Sequence, residues 1–399
     1  MAQKIFFRMK AYLGLASGEI FRGEAICYDP ETEGEVVLYS SARFPHQLLT
    51  DPAHHGRIIV SDAVSIENRW PHFTEIESYA PHLRALVMLG NLTKSRFESK
   101  YYNLVNYLAS NMITLFRPDQ PLLLKSALSA KQPIGGIISR GSPALKAIHK
   151  SSRHKKIDHR DKRNARWQDG SRSRPPDPVR SMSTSLDFYW DLPDQNERFD
   201  SQKRFVLVAY DYGISYSTLR NLKKMGCDIR IVPADFSPGE LIALNPEGIL
   251  LGGGPGDPTM MDYAISNIAR LIGLRPILAT RLGHFLLGLS MGAKLHRLSQ
   301  PHFGYDIPVD FLYGPGRGSH RYLTNQAHLV GFDRESLITS GFEITMTNAD
   351  DGSVEGYSSD EFLIQSYAFS LGREDEFTES CLKSFIACME IHRAGRRMI

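Results

Sequence analysis

Residues 275–293 read RPILATRLGHFLLGLSMGA. An apolar run ends at a tight turn around Arg281, Gly283 permits close backbone approach, and a second apolar run long enough for a helix follows. The stretch is therefore expected to be a buried strand, 275–283, a sharp bend, and a helix, 284–293. Working outward, the same grammar repeats. RFVLVAYDYG (204–213) is a strand running into a turn, SYSTLRNLKKMG (215–226) a helix that Gly226 ends, and CDIRIVPA (227–234) the next strand. PGELIAL (238–244) is a short helix, GILLGGGPGDP (248–258) a strand breaking into a glycine loop, and MDYAISNIARLIG (261–273) a helix. FLIQSYAFS (362–370) is a late strand and EFTESCLKSFIACMEIHR (376–393) a C-terminal helix, with Phe377, Cys381, Phe385 and Cys388 on one stripe. Strand alternating with helix implies α/β architecture: a mainly parallel, helix-covered sheet.

The first part of the chain reads differently. GEVVLYSS (34–41) and GRIIVSDAV (56–64) are short strands, and KYYNLVNYLASNMI (100–113) has helical spacing, with Tyr101, Leu104, Tyr107, Leu108 and Met112 on one face. That part is expected to be mixed α and β. Between the halves, residues 146–180 hold twelve Lys or Arg against four Asp, a local balance of +8 that leaves −5 for the rest of a chain of net charge +3. With almost nothing apolar to bury, the stretch reads as a basic, mobile tether. The expected domains are thus 1–145, a linker over 146–202, and 203–399. A solvated tether is the plain reading of the basic run; binding to an anionic partner is the alternative, although Trp167 is its lone aromatic for base stacking.

The 399 residues are 42% hydrophobic and 23% charged, which fits an ordinary globular protein and excludes collagen-like, coiled-coil and wholly disordered chains. The apolar runs fall short of the ~18 residues a membrane span needs. Met1–Lys10 lacks the apolar core of a signal peptide. Cys27, Cys227, Cys381 and Cys388 show no Cys-x-x-Cys spacing, so a reducing, cytoplasmic location is expected, with no membrane partner. His302, Asp306, His320 and His328 lack a metal-ligand spacing, so no metal is expected.

The bend at 281 carries the chemistry. In α/β hydrolytic and transfer enzymes a strand–turn–helix exposes a nucleophile where free N–H groups and the helix dipole favour an anion. Such a nucleophile is a thiol or hydroxyl, whereas Arg281 has no nucleophilic atom and stays protonated. It either holds an anionic ligand or plugs the pocket by pairing with an acid such as Glu67 or Asp306. Cys227 opens a strand and is read as structural.

Several stretches together resemble the small, glutamine-hydrolysing subunit of carbamoyl-phosphate synthetase, over nearly the whole chain outside the basic run. They are AYLGLASGEIFRGEA (11–25), GEVVLYSSARFPHQLLTDPAHHGRIIV (34–60), RPDQPLLLKSALSAKQPIGGII (117–138), VAYDYGISYSTLRNL (208–222), VPAD (232–235), NPEGILLGGGPGDP (245–258), YAI (263–265), LGH (282–284), GAKLHRL (292–298) and DGSVEGY (351–357). The resemblance implies an N-terminal small-subunit domain followed by a class I glutamine amidotransferase domain. The family uses a Cys–His–Glu triad, in which a thiolate attacks the glutamine amide, the His carries the proton and the Glu orients it. Carried over residue by residue, those positions here are Arg281, Tyr367 and Phe369. A phenol of pKa near 10 is a poor base at neutral pH, and Phe cannot hydrogen-bond. The glutamine pocket departs as well: its positions are Ser41, Glu67, Phe285, Ala327, Leu329 and Val330, where all but Ser41 differ from the family's residues. The glycine loop that supplies oxyanion-stabilising N–H groups persists as Gly253, Gly254 and Gly256, with Gly283 at the bend.

The resemblance therefore implies a pseudo-glutaminase with no cofactor. Its partner would be a carbamoyl-phosphate synthetase large subunit or a paralogue, in carbamoyl phosphate metabolism serving arginine and pyrimidines. Two alternatives stand beside it: a scaffold using the 146–180 run for an anionic partner, and an active glutamine-hydrolysing chain with non-standard residues.

Overall fold

The structure is a computed structural model, and it describes residues 8–26, 31–41, 45–93, 103–131, 134–140, 177–190, 204–312 and 319–396. Contacts divide the chain into two units: 1–44, 56–70 and 83–177 form the first, and 45–55, 71–82 and 178–399 the second. This differs from a linear division at 145. Two short segments from the first part of the sequence, 45–55 and 71–82, belong to the second unit.

The first unit is built on a closed barrel. Its strands are β1 (Arg8–Leu15), β2 (Ile20–Ile26), β3 (Glu31–Tyr39), β4 (Arg57–Ser61), β6 (Ala85–Met88), β8 (Thr114–Pro118) and β9 (Ile134–Ser139), joined in the order β1-β2-β8-β6-β4-β3-β9 and closed by pairing of β9 with β1. A short parallel pair, β5 (Ser65–Glu67) with β7 (Asn91–Thr93), lies outside the barrel. Closure removes the sheet edges that an open sheet would have to protect. Alternation decides which side chains enter the core: Phe21 and Ala25 of β2 point inward with Leu13, Val36, Leu38, Ile58 and Val60. Helix α2 (Pro121–Lys131) adds Leu124 and Leu128 to the same core. Helix α1 (Leu104–Ser110) is shorter than its spacing implies: Asn103 caps it, and Met112 lies beyond its end at φ 60° and 62% exposed, off the expected face. Tyr101 falls outside the described residues.

The second unit is a ten-stranded sheet. Its long continuous part begins at α3 (Pro178–Met182) and β10 (Phe188–Tyr189), inside the stretch expected to be linker. Val179 is fully buried there and Trp190 nearly so, which explains the departure: the C-terminal end of the basic segment carries enough apolar surface to dock. Of the 146–202 expectation only 177–190 is described, and of the 146–180 run read as binding an anionic partner only 177–180; the rest falls outside the described residues.

The remaining strands are β11 (Phe205–Tyr210), β12 (Cys227–Val232), β13 (Gly248–Leu251), β14 (Ile277–Thr280), β15 (Leu295–Leu312), β16 (Ser319–Phe332), β17 (Glu343–Asn348), β18 (Val354–Ser359) and β19 (Ile364–Tyr367). The sheet order is β10-β12-β11-β13-β14-β19-β18-β17-β15-β16. From β12 to β19 every pairing is parallel, and from β19 to β16 every pairing is antiparallel.

Helices cover both faces of the parallel part: α4 (Tyr216–Lys224), α5 (Pro238–Ala243), α6 (Asp262–Ala269), α7 (Leu282–Ser290) and α9 (Glu376–Arg396), while α8 (Arg334–Thr339) precedes β17. Period-2 geometry sorts the apolar strands between two cores. Val208, Tyr210, Ile249, Leu251, Ile277 and Ala279 face one, which α6 and α7 cover through Ile268, Leu286 and their neighbours. Phe205, Leu207, Ala209, Leu250 and Leu278 face the other, which α4 and α9 cover through Leu219, Leu222, Phe385 and Met389. Gly226, at φ 86°, follows α4 as a residue without Cβ must to reach that conformation cheaply.

Candidate functional site

β14 ends at Thr280 and α7 starts at Leu282, so the whole reversal falls on Arg281. Its backbone sits at φ 50°, ψ −116°, a conformation that costs a non-glycine residue ~1–3 kcal/mol. The surroundings hold it there. Arg281 N–H donates to the Tyr367 carbonyl at 2.9 Å, its own carbonyl accepts from His284 N–H at 3.0 Å, and Gly283 N–H donates to the Gly252 carbonyl at 3.1 Å. The glycines on either side are required by space. A Cβ on Gly253 would stand 2.4 Å from Arg281 Cβ, and one on Gly283 would stand 2.3 Å from the Leu251 carbonyl oxygen. Gly254 lies in the same loop, and Gly256 turns it at φ 115°.

The Arg281 side chain turns into the protein, 6% exposed. Nη1 donates to both oxygens of Asp51, at 2.7 and 2.8 Å, and the Asp51 side chain is 3% exposed. Burial alone would raise the Asp51 carboxyl; the Arg281 guanidinium, with a smaller contribution from His54, overcomes it and holds the group below the ordinary carboxylate value. Asp51 also accepts from Ala53 N–H at 3.0 Å, capping the 3-10 turn Pro52–His54. The pair is thus internal to the second unit. The two acids expected as partners are engaged elsewhere: Glu67 accepts from Arg69 at 2.7 Å in the first unit, and Asp306 faces Arg373 at 3.4 Å.

The other two triad positions do not converge on the bend. Tyr367 is fully enclosed beside Cys381 in the core that α9 covers, its hydroxyl donating to Gln365 Oε1 at 3.2 Å. Burial drives its phenol well above the ordinary value. Phe369 is 1% exposed in the same core, 5.4 Å from the Tyr367 ring. Arg281 meets Tyr367 through the main chain. Beneath the turn, His284 Nδ1 lies 2.8 Å from Ser366 Oγ, and complete burial pushes the imidazole down to about 3, so it is neutral at physiological pH.

The glutamine-pocket positions fall in both units. Ser41 N–H donates to Asp62 Oδ1 at 3.1 Å in the first. In the second, Phe285 is 3% exposed and packs against His328 and Phe332, with ring centroids at 5.3 and 5.7 Å. Ala327, Leu329 and Val330 lie along β16, all partly buried. The Phe285 ring has no group that could hydrogen-bond to a polar ligand.

One cluster escapes sequence spacing. Of the four residues lacking metal-ligand spacing, His302 and His328 do meet, because the β15–β16 register sets them opposite each other; Glu355 on β18 joins them. Asp306 and His320 stay outside that group. The two histidines stand 26 positions apart in the sequence, and strand pairing is what makes them neighbours.

Residues 208–368 match the family described as glutamine amidotransferase class-I, and residues 13–118 match the carbamoyl-phosphate synthase small chain, CPSase domain. A carbamoyl phosphate synthase small chain from Syntrophotalea carbinolica is 31% identical over 357 residues, covering 87% of this chain and 89% of that one. Its counterpart from Clostridium perfringens is 30% identical over 365 residues, covering 90% and 93%. Among solved structures, a glutamine amidotransferase from Thermotoga maritima overlays 47% of this chain and 99% of its own, at 13% identity and a TM-score of 0.36. Family matches on both sides of the basic run and near full-length similarity on either chain leave one assignment: this chain belongs to the carbamoyl phosphate synthase small-chain family, an α/β protein with the small-chain domain followed by a class I glutamine amidotransferase domain.

Proposed function

We propose that this chain does not hydrolyse glutamine and serves as a structural or regulatory partner of a carbamoyl phosphate synthase large subunit or a paralogue of it. The observation that carries the reading is the buried Arg281–Asp51 pair at the bend where the family's nucleophile stands. A guanidinium offers no lone pair for attack on an amide carbon, and here it is committed to a carboxylate. Tyr367 and Phe369, enclosed in an apolar core, supply neither a base nor an orienting acceptor. The glycine loop and the bend have a sufficient reason to persist without catalysis, since a Cβ at Gly253 or Gly283 would collide with neighbouring atoms. Carbamoyl phosphate made by such a complex would draw on free ammonia.

The test is purification of the full chain with the large subunit of its own host, followed by assays with glutamine and with ammonium. Co-purification with ammonia-dependent, glutamine-independent synthesis supports the reading. Ammonia release from glutamine in proportion to the amount of this chain overturns it.

A further inference from the structure

The group formed by His302, His328 and Glu355 lies within the second unit, where His328 packs against Phe285 of α7. The three residues come from β15, β16 and β18, and their donor atoms all fall within 4.8 Å of one another. Glu355 is fully buried, and the His302 and His328 side chains are 8% and 6% exposed. His302 Nδ1 is 2.9 Å from Glu355 Oε1, and His328 Nε2 is 3.3 Å from Glu355 Oε2. For bonds of about 2.0–2.1 Å in tetrahedral geometry, ligand atoms stand ~3.3 Å apart. The spacing therefore suits a first-row divalent ion with little rearrangement.

The outer partners fit as well. His302 Nε2 is 3.0 Å from Asp351 Oδ2, and His328 Nδ1 is 3.0 Å from the Val330 carbonyl. A carbonyl only accepts, so His328 carries its hydrogen on Nδ1 in that contact. Each imidazole thus has its far nitrogen anchored by an acceptor and its near nitrogen turned to the centre, the arrangement that orients metal-binding histidines.

The centre is rich in lone pairs. Gln326 Oε1 lies 3.0 Å from His328 Nε2, and Glu355 Oε2, wholly buried, meets His328 Nε2 at 3.3 Å outside good hydrogen-bond geometry. The cluster holds two carboxylates, Glu355 and Asp351, and the groups facing Glu355 with positive character are the two imidazoles. The two carboxylates balance a charge of +2.

We propose that His302 Nδ1, His328 Nε2 and a Glu355 oxygen bind one divalent transition-metal ion of the zinc class. Two nitrogens and one carboxylate oxygen favour zinc-like ions over magnesium or calcium, which take oxygen donors. The ion ties β15, β16 and β18 together. Asp351, 28% exposed, stands at the solvent side of His302 as the route of entry.

The experiment uses the full chain, stripped with a chelator and then titrated with Zn2+ and separately with Co2+, with elemental analysis after desalting. About one equivalent of zinc per chain and the visible absorption of a four-coordinate Co2+ centre are expected. Glu355→Gln should lose the bound equivalent. Should that variant fail to fold, Asp351→Asn, which changes only an outer partner, should weaken Zn2+ binding by ~10–100-fold. Absence of stoichiometric binding by the parent chain, or equal Zn2+ affinity in the parent and in every folded variant, overturns the proposal.

Discussion

Replacing Asp51 by Asn tests whether the buried pair at the bend is a structural commitment. The substitution removes one charge, keeps nearly the same volume, and leaves an oxygen to accept from Ala53 N–H, so the cap of the 3-10 turn survives. At 2.7 Å and an effective dielectric constant near 20, the gross attraction between the two charges is about 6 kcal/mol. Most of that is offset by the desolvation of each ion, several kcal/mol apiece, so the intact pair contributes little net stability. The asymmetry appears when one partner is removed. Arg281 is 6% exposed and cannot shed its proton, so Asp51→Asn leaves an uncompensated cation, at a cost of ~3–5 kcal/mol. Arg281→Met should be milder, because an unpaired carboxylate can take up a proton. Joining Asp51→Leu to Arg281→Met should return stability to within ~2 kcal/mol of the parent. Urea unfolding at neutral pH gives the free energies, and hydrogen exchange of peptides covering 277–290 shows whether the loss falls at the bend. Single variants each costing less than ~1 kcal/mol and adding without coupling would refute the reasoning.

Other outcomes follow from the same geometry. Glu77 accepts from Ser217 N–H at 2.9 Å and from Ser217 Oγ at 2.7 Å, yet burial, reinforced by the Asp51 charge, lifts its carboxyl to about 7. A carboxyl raised from 4.5 favours the folded state most below 4.5, and that stability is lost as pH rises through 7. The parent should thus lose up to ~3 kcal/mol between pH 4.5 and 7 relative to Glu77→Gln; parallel stability curves for the two would contradict this. Arg281→Cys restores a thiol but no base, so its glutaminase rate should equal the parent's in an ammonia-release assay. Gly283→Ala should destabilise by at least ~1–3 kcal/mol in thermal or urea unfolding, since the new methyl meets the Leu251 carbonyl oxygen at 2.3 Å. Burial pushes the Cys227 and Cys381 thiols up to about 12, so both should resist iodoacetamide at pH 8 until the chain is unfolded, as peptide mass mapping would show.

Local chemistry made the parallel sheet legible. β11, β13 and β14 are apolar on both faces, turns follow each, and Gly226 ends α4, so strand–helix alternation was readable from 204 to 293. The bend at Arg281 was legible for the same reason. Closure of the barrel was not, because it depends on β9 pairing with both β1 and β3, a long-range register that no local pattern encodes. The partner of Arg281 was hidden by a separation of 230 residues. Met112 misled because helical spacing continues past the residue where backbone conformation ends the helix. The His302–His328–Glu355 group stayed invisible since strands bring together residues that sequence spacing keeps apart.

Because 45–55 and 71–82 belong to the second unit, the order of synthesis has a consequence. Asp51 and Glu77 leave the ribosome well before Arg281 and Ser217 exist, so for a time both acids must remain hydrated. A gene severed at the basic run would encode a downstream piece with Arg281 and no counter-ion. The two halves of this chain are therefore poor candidates for exchange by recombination, even though the sequence between them looks like a natural place to cut.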